Sequence, residues 1–223
     1  MPITNHTETT HTAFPSPLPL ALRTPEPEDG PALHALVAHC PPLDPNSLYC
    51  NLLHCTHFAD TSVAAVPSDA ASNDGPLLGF ISAYIPPAQP DTLFVWQVAV
   101  APTARGQGLG GRMLDTLLQR PICAAVRYVE TTITPGNRAS WGLFTSWAKR
   151  YRAPTQQHLH FERQRHFGGQ HDDELLLRIG PLPAPHGRSG HVHQPYQASI
   201  HRATARRITV FSSAFFSTPL ATP

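Results

Sequence analysis

Apolar and polar positions along the chain follow two rhythms. One has the period of two expected of strands, the other the 3.6-residue period of helices. Leu20-Ala21-Leu22-Arg23 reads as a short strand. Thr24 to Asp29 follows as a helix start, with Pro25 and acidic residues suited to the positive end of a helix dipole. Leu33, Leu36 and Val37 then form a helical stripe as far as Cys40, where Pro41-Pro42 stops it. Leu43 to Ser47 is a cap cluster that leads into a second helix over Leu48–Cys55. Ser62–Val66 and Leu77–Tyr84 read as strands joined by a polar loop over 67–76. Phe94–Val100 is apolar apart from Gln97, the pattern of a strand central in a sheet.

Next comes Ala101-Pro102-Thr103-Ala104, then Arg105-Gly106-Gln107-Gly108-Leu109-Gly110, then a helix with Leu109, Met113, Leu114, Leu117 and Leu118 on one face. Val126–Ile133 is β-branched and alternating, hence a strand. Pro135-Gly136-Asn137 opens a further helix with Ala139, Leu143, Phe144 and Trp147 on one face. Gln157–Glu162 and Glu174–Ile179 are strand candidates flanking a polar loop over 163–173. Residues 1–19 show no period and read as a disordered leader. From 183 to 223 the pattern dissolves into a tail, with a strand-like Ile208–Phe211 that has no evident partner. The domain is expected over 20–182.

The strand, glycine turn and helix around Arg105–Gly110 carry the clearest chemistry. The first amides of a helix lack intrahelical partners, and glycine lets a phosphate approach the backbone closely. Arg105 adds a permanent charge of fork geometry. The pattern is not the dinucleotide fingerprint, because Arg105 stands where the first glycine belongs and no acidic residue follows at the required distance. It is not a P-loop either, since no Gly-Lys-Ser/Thr follows.

Composition adds boundaries. The chain has 223 residues, 41% of them hydrophobic, which permits one good-sized core. A formal net charge of +1 gives no bulk attraction to nucleic acid or membranes. Lys149 is the only lysine, and the 25 prolines crowd the two ends. Cys40, Cys50, Cys55 and Cys123 form no CxxC pair. The start of the chain lacks the charged and apolar parts of a signal peptide, and no apolar run approaches the roughly 18 residues of a membrane span. A cytoplasmic location is the expectation. His54-Cys55-Thr56-His57 offers too few ligands for zinc, so no metal is expected.

Val98-Ala99-Val100-Ala101-Pro102 followed by Arg105-Gly106-Gln107-Gly108-Leu109-Gly110 resembles the acetyl-CoA signature of the GCN5-related N-acetyltransferases. Five further blocks are similar to the diaminobutyrate acetyltransferases of ectoine synthesis. They are Leu43–Ser47, His57–Thr61, Pro90–Val98, Glu130–Pro135 and Arg165–Gly169. The resemblance spans roughly 20 to 182. It implies an α/β (α+β) fold with a central mixed, mostly antiparallel sheet and helices on both faces. It implies acetyl-CoA as co-substrate, no metal, and a homodimer.

By that resemblance Val98 and Val100 would pair with pantetheine, the Arg105, Gly106, Gln107, Gly108, Leu109 and Gly110 turn would hold the pyrophosphate, and Asn137 would contact CoA. L-2,4-diaminobutyrate carries two amines and a carboxylate, so its site needs acidic groups, a donor and a wall. Asp44 and Glu130 are the acidic candidates, Tyr49 and Trp96 the wall, and His166 sits in a polar Gly-bounded loop. Structural roles compete for each: a turn for Asp44, an ion pair with an arginine for Glu130, core packing for the aromatics, solvent for His166. The γ-amine must lose a proton and attack the thioester directly, with Glu130 the first expected base and His166 the second. The family's usual tyrosine acid is Phe144 here. Two other readings stay open: an acetyltransferase for another small diamine or amino acid, and a non-catalytic CoA-binding module.

Overall fold

The computed structural model describes residues 19–68 and 75–183. The leader, the tail with Ile208–Phe211, and most of the 67–76 loop lie outside them. Strands β1 (Leu20–Arg23), β2 (Val63–Pro67), β3 (Gly79–Tyr84), β4 (Thr92–Val100), β5 (Tyr128–Ile133), β6 (Thr155–Phe161) and β7 (Glu174–Ile179) make one seven-stranded sheet in the order β1-β2-β3-β4-β5-β7-β6. Every neighbouring pair is antiparallel except β4 and β5. The mixed sheet expected from the sequence is therefore present.

Alternation along the strands divides the core in two. On one face Val63, Ala65, Ile81 and Ala83 pack with Leu109, Met113, Leu114 and Leu117 of α3 (Leu109–Leu118), and with Phe144 and Trp147 of α4 (Arg138–Arg150). On the other, Ala64, Phe80 and Ala99 pack with Leu33, Leu36 and Val37 of α1 (Gly30–Ala38). Full burial of each large apolar side chain contributes about 1.5–3 kcal/mol. Helix α2 (Leu48–His54) begins at Ser47, whose hydroxyl accepts from the Cys50 amide at 3.1 Å.

Three local expectations are corrected. The first helix begins at Gly30, after a 3₁₀ turn over Pro27–Asp29. Asp29 is fully buried and takes both Arg23 guanidinium nitrogens at 2.6 and 2.7 Å and the Glu26 amide at 2.7 Å. Second, the 163–173 segment is not all loop, because Arg163–Phe167 forms the short helix α5. Third, Asn137 stands just before α4 rather than inside it, capping the helix through its side-chain oxygen, which accepts from Ser140 N at 3.1 Å.

Two irregularities of β4 shape the site. Its register against β3 jumps from Ser82↔Gln97 to Ala83↔Val95, so Trp96 is the extra residue of a β-bulge. Its parallel pairing with β5 covers Thr92, Leu93 and Phe94 and then ends. Past Phe94 the two strands diverge, and their facing backbone groups are left to something other than each other.

Candidate active site

The divergence opens two adjoining cavities. The first, about 380 Å3, is lined by Val98 and Val100 of β4, by Arg105, Gly106, Gly108, Leu109 and Gly110 of the turn, and by Asn137, Ser140 and Leu143 of α4. Gly106 (φ +76°) and Gly108 (φ +69°) take left-handed conformations that glycine adopts without steric cost, and the space where a Cβ would project is open at both. Gly108 is the residue before α3, so the free amides of that helix face a cradle with no side chain in front of it. The donor set and shape fit a pyrophosphate and a pantetheine arm.

Eight of the nine residues expected to hold the cofactor thus line this cavity: Val98, Val100, Arg105, Gly106, Gly108, Leu109, Gly110 and Asn137. Gln107 does not, and its side-chain nitrogen donates to Thr103 O at 3.3 Å. The Arg105 guanidinium is folded back, with Nε donating to Val100 O at 3.1 Å and a terminal nitrogen 3.7 Å from Cys40 Sγ.

The second cavity, about 520 Å3, lies on the other side of the gap. Tyr84, Phe94 and Trp96 form an aromatic wall, with ring centroids 5.2 Å apart for Tyr84 and Phe94 and 6.4 Å for Tyr84 and Trp96. His54, buried beneath, meets the Trp96 ring edge-on at 4.9 Å. Asp44 lies at the rim, where its backbone oxygen accepts from Gln97 Nε2 at 2.8 Å and its carboxylate from Asn46 N at 3.0 Å. Opposite stand Thr132, Phe161, His171 and Glu174.

Glu174 opens β7 with its side chain 17% exposed, and its Oε1 is 3.7 Å from His171 Nε2. Its Oε2 is buried and meets no hydrogen-bond partner among the described residues. Burial raises this carboxyl from its ordinary value, opposed by nearby His171 and by the neighbouring Thr132 side chain. A buried, unpaired carboxylate oxygen is costly unless it meets a cation. Burial, with Glu130 nearby, also raises the Tyr84 phenol.

Of the residues expected at the substrate, the structure brings Asp44 and Trp96 to this cavity and leaves three away from it. Glu130 is buried on β5 and bound to Arg178, its register partner on β7. Arg178 in turn stacks over the Tyr128 ring at 3.8 Å. The expected base is therefore engaged by a guanidinium and does not line the cavity. His166 is exposed, and its Nδ1 accepts from the Glu162 amide at 2.7 Å, which ties it to the start of its own helix. Tyr49 is 70% exposed on α2, so it forms no wall in this chain. Glu174, His171, Thr132 and Tyr84, which the sequence does not single out, also line this cavity. The usable signal was a His-x-x-Glu step at the head of an alternating strand. Among the described residues no cluster of ligating side chains could hold a metal, and no helix is long and apolar enough to cross a membrane.

Residues 33–148 match the acetyltransferase (GNAT) family. The chain is 48% identical over 165 residues to an L-2,4-diaminobutyric acid acetyltransferase of Methylotuvimicrobium alcaliphilum, covering 74% of this chain and 92% of the relative. It is 49% identical over 164 residues to the protein of the same name from Bordetella parapertussis, covering 74% and 86%. Among solved structures it is similar to the diaminobutyrate acetyltransferase EctA from Paenibacillus lautus in complex with L-2,4-diaminobutyric acid and coenzyme A. That likeness has a TM-score of 0.66 and 39% identity, covering 73% of this chain and 95% of the other.

Proposed function

The chain belongs to the acetyltransferase (GNAT) family, among its L-2,4-diaminobutyric acid acetyltransferases, and from that premise we propose how its two cavities work. The protein is an acyltransferase that moves the acetyl group of acetyl-CoA to L-2,4-diaminobutyrate, the acetylation step of ectoine synthesis. The γ-amine is the acceptor. The carrying observation is the unpartnered Oε2 of Glu174, buried in a cavity that adjoins the glycine-turn cavity.

Acetyl-CoA lies along the gap between β4 and β5, with pyrophosphate on the amides at the head of α3 and pantetheine beside Val98 and Val100. Diaminobutyrate lies against Tyr84, Phe94 and Trp96. Its ammonium groups meet Glu174 and Asp44, the two carboxylates that line the cavity. His160 and Thr134, also on the lining, are placed to donate to the substrate carboxylate.

An ammonium cannot attack a thioester. Glu174, its affinity for protons raised by burial, takes the proton. The freed nitrogen adds to the thioester carbon, and the oxyanion is met by a β4 backbone amide at Val98, which lines both cavities. The nitrogen, now bonded to carbon, gives its second proton to water, and collapse breaks the carbon–sulfur bond and releases CoA. Glu130 is assigned a structural role with Arg178.

Turnover of acetyl-CoA with diaminobutyrate and a panel of diamines, followed by thiol release, tests this reading. The product should be the N4-acetyl isomer by NMR; no turnover under conditions where CoA binds, or the N2 isomer, would overturn it. A cytoplasmic location accompanies the reading, supported by four free cysteines. So does a homodimer, supported by the exposed apolar side chains Leu48, Tyr49, Leu159 and Phe161. Light scattering on the purified protein checks the latter.

A further inference from the structure

The two cavities share five lining residues: Pro42, Leu43, Val98, Asn137 and Ser140. These mark the junction where thioester and amine must meet. Pro42, Leu43 and Val98 bring no polar side chain to it. Asn137 commits its side-chain oxygen to the Ser140 amide, which fixes the plane of its carboxamide. Ser140 brings the junction's one hydroxyl, in the first turn of α4 beside the Asn137 carboxamide. Its amide is taken by the cap, while no described group bonds its Oγ. Phe144, one turn further along α4, is 2% exposed and has no proton to offer. Tyr84 lines the amine cavity alone.

We propose that Ser140 is a catalytic residue whose hydroxyl donates a hydrogen bond to the thioester sulfur and stabilises the departing CoA thiolate. The inference rests on the acetyl-CoA reading above. The balance is simple. The oxyanion re-forms the carbonyl, the carbon–sulfur bond breaks, and its electron pair goes to sulfur. The proton shed before attack stays with Glu174, and the second, lost from the nitrogen once it is bonded to carbon, passes to water. A serine hydroxyl is too weak an acid to surrender its proton to a thiolate, so it acts by donation and keeps the proton. CoA takes its proton from solvent on release.

The test uses Ser140→Ala and Ser140→Thr in the full chain. Alanine is well tolerated in a first helical turn, and the cap bond uses only backbone at this position. Ser140→Ala should lower kcat about ten- to a hundredfold, the worth of a hydrogen bond to a charged acceptor, with little change in acetyl-CoA affinity. Ser140→Thr, which keeps the hydroxyl, should recover most of the rate. A second readout needs no amine. The thiol of bound CoA, titrated by its ultraviolet thiolate absorbance, should ionise about one pH unit or more higher in Ser140→Ala than in the wild type. Equal thiol titrations in the two proteins would overturn the inference, and so would a Ser140→Ala kcat within about twofold of wild type. If the wild type fails to acetylate diaminobutyrate while the thiol titrations still differ, the substrate reading falls and the inference stands.

Discussion

Replacing Glu174 by glutamine removes one charge and little volume, so its effects on catalysis and stability separate. Of the two acids on the lining of the amine cavity this is the half-buried one, and its buried Oε2 has no hydrogen-bond partner among the described residues. Two unit charges about 4 Å apart at an effective dielectric of about 20 attract by about 4 kcal/mol. Glutamine keeps a neutral hydrogen bond worth about 1 kcal/mol. The net loss is about 3 kcal/mol, so kcat/KM for diaminobutyrate should fall about a hundredfold, and further if Glu174 is also the base. Acetyl-CoA affinity should hold, because Glu174 does not line the cofactor cavity.

Stability should move the other way. Burial raises this carboxyl, so at neutral pH the fold carries an ionised group that it disfavours. A raised folded-state value means the contribution to stability is present at low pH and lost as pH rises through it. Glu174→Gln should therefore melt higher than the wild type at pH 7. The gap should close as pH falls and the wild-type carboxyl protonates. Thiol-release kinetics and thermal melts across pH check both arms. A kcat/KM within about threefold of wild type, or a variant that melts lower at pH 7, would refute the reasoning.

Other substitutions probe the remaining assignments. Glu130→Gln should leave kcat within about threefold and lower stability by about 1–3 kcal/mol, because it breaks a part-buried pair with Arg178 rather than a catalytic contact; chemical denaturation reads it. Arg105→Ala should weaken acetyl-CoA binding about tenfold by calorimetry, the loss of a charge beside the pyrophosphate cradle. Gly108→Ala places a Cβ in open space but at φ +69°, costing about 1–2 kcal/mol of stability; a larger drop in cofactor affinity than in melting temperature would show that the bare backbone serves the ligand.

The cofactor half of the site was legible because its determinants are local. A strand, two glycines and a helix start occupy consecutive residues, and eight of the nine expected positions line one cavity. The substrate half depends on register between distant strands. Glu130 reads in sequence as an unexplained acid in an apolar strand; its neutraliser, Arg178, lies 48 residues on, and only the β5–β7 pairing shows them opposite. Glu174 and His171 read as an ordinary strand start and loop, yet the same pairing carries them to the cavity wall. His166 lies five residues before His171 in the same polar segment, yet its ring closes its own helix instead of reaching the cavity.

The short pairing of β4 with β5 has a mechanical consequence. Three residue pairs join a four-stranded part of the sheet to a three-stranded part, and the gap beyond them is where the cofactor arm belongs. One core joins the two parts beneath the gap, and pantetheine lying in it would act as an inserted strand, supplying backbone partners that the diverging strands lack. Amide exchange should register this, with protection in β5 rising on acetyl-CoA binding more than in β2, β3 and β7, which are paired on both sides in either state. The cofactor would then be consumed as a reagent and, in each cycle, also withdrawn as a structural brace.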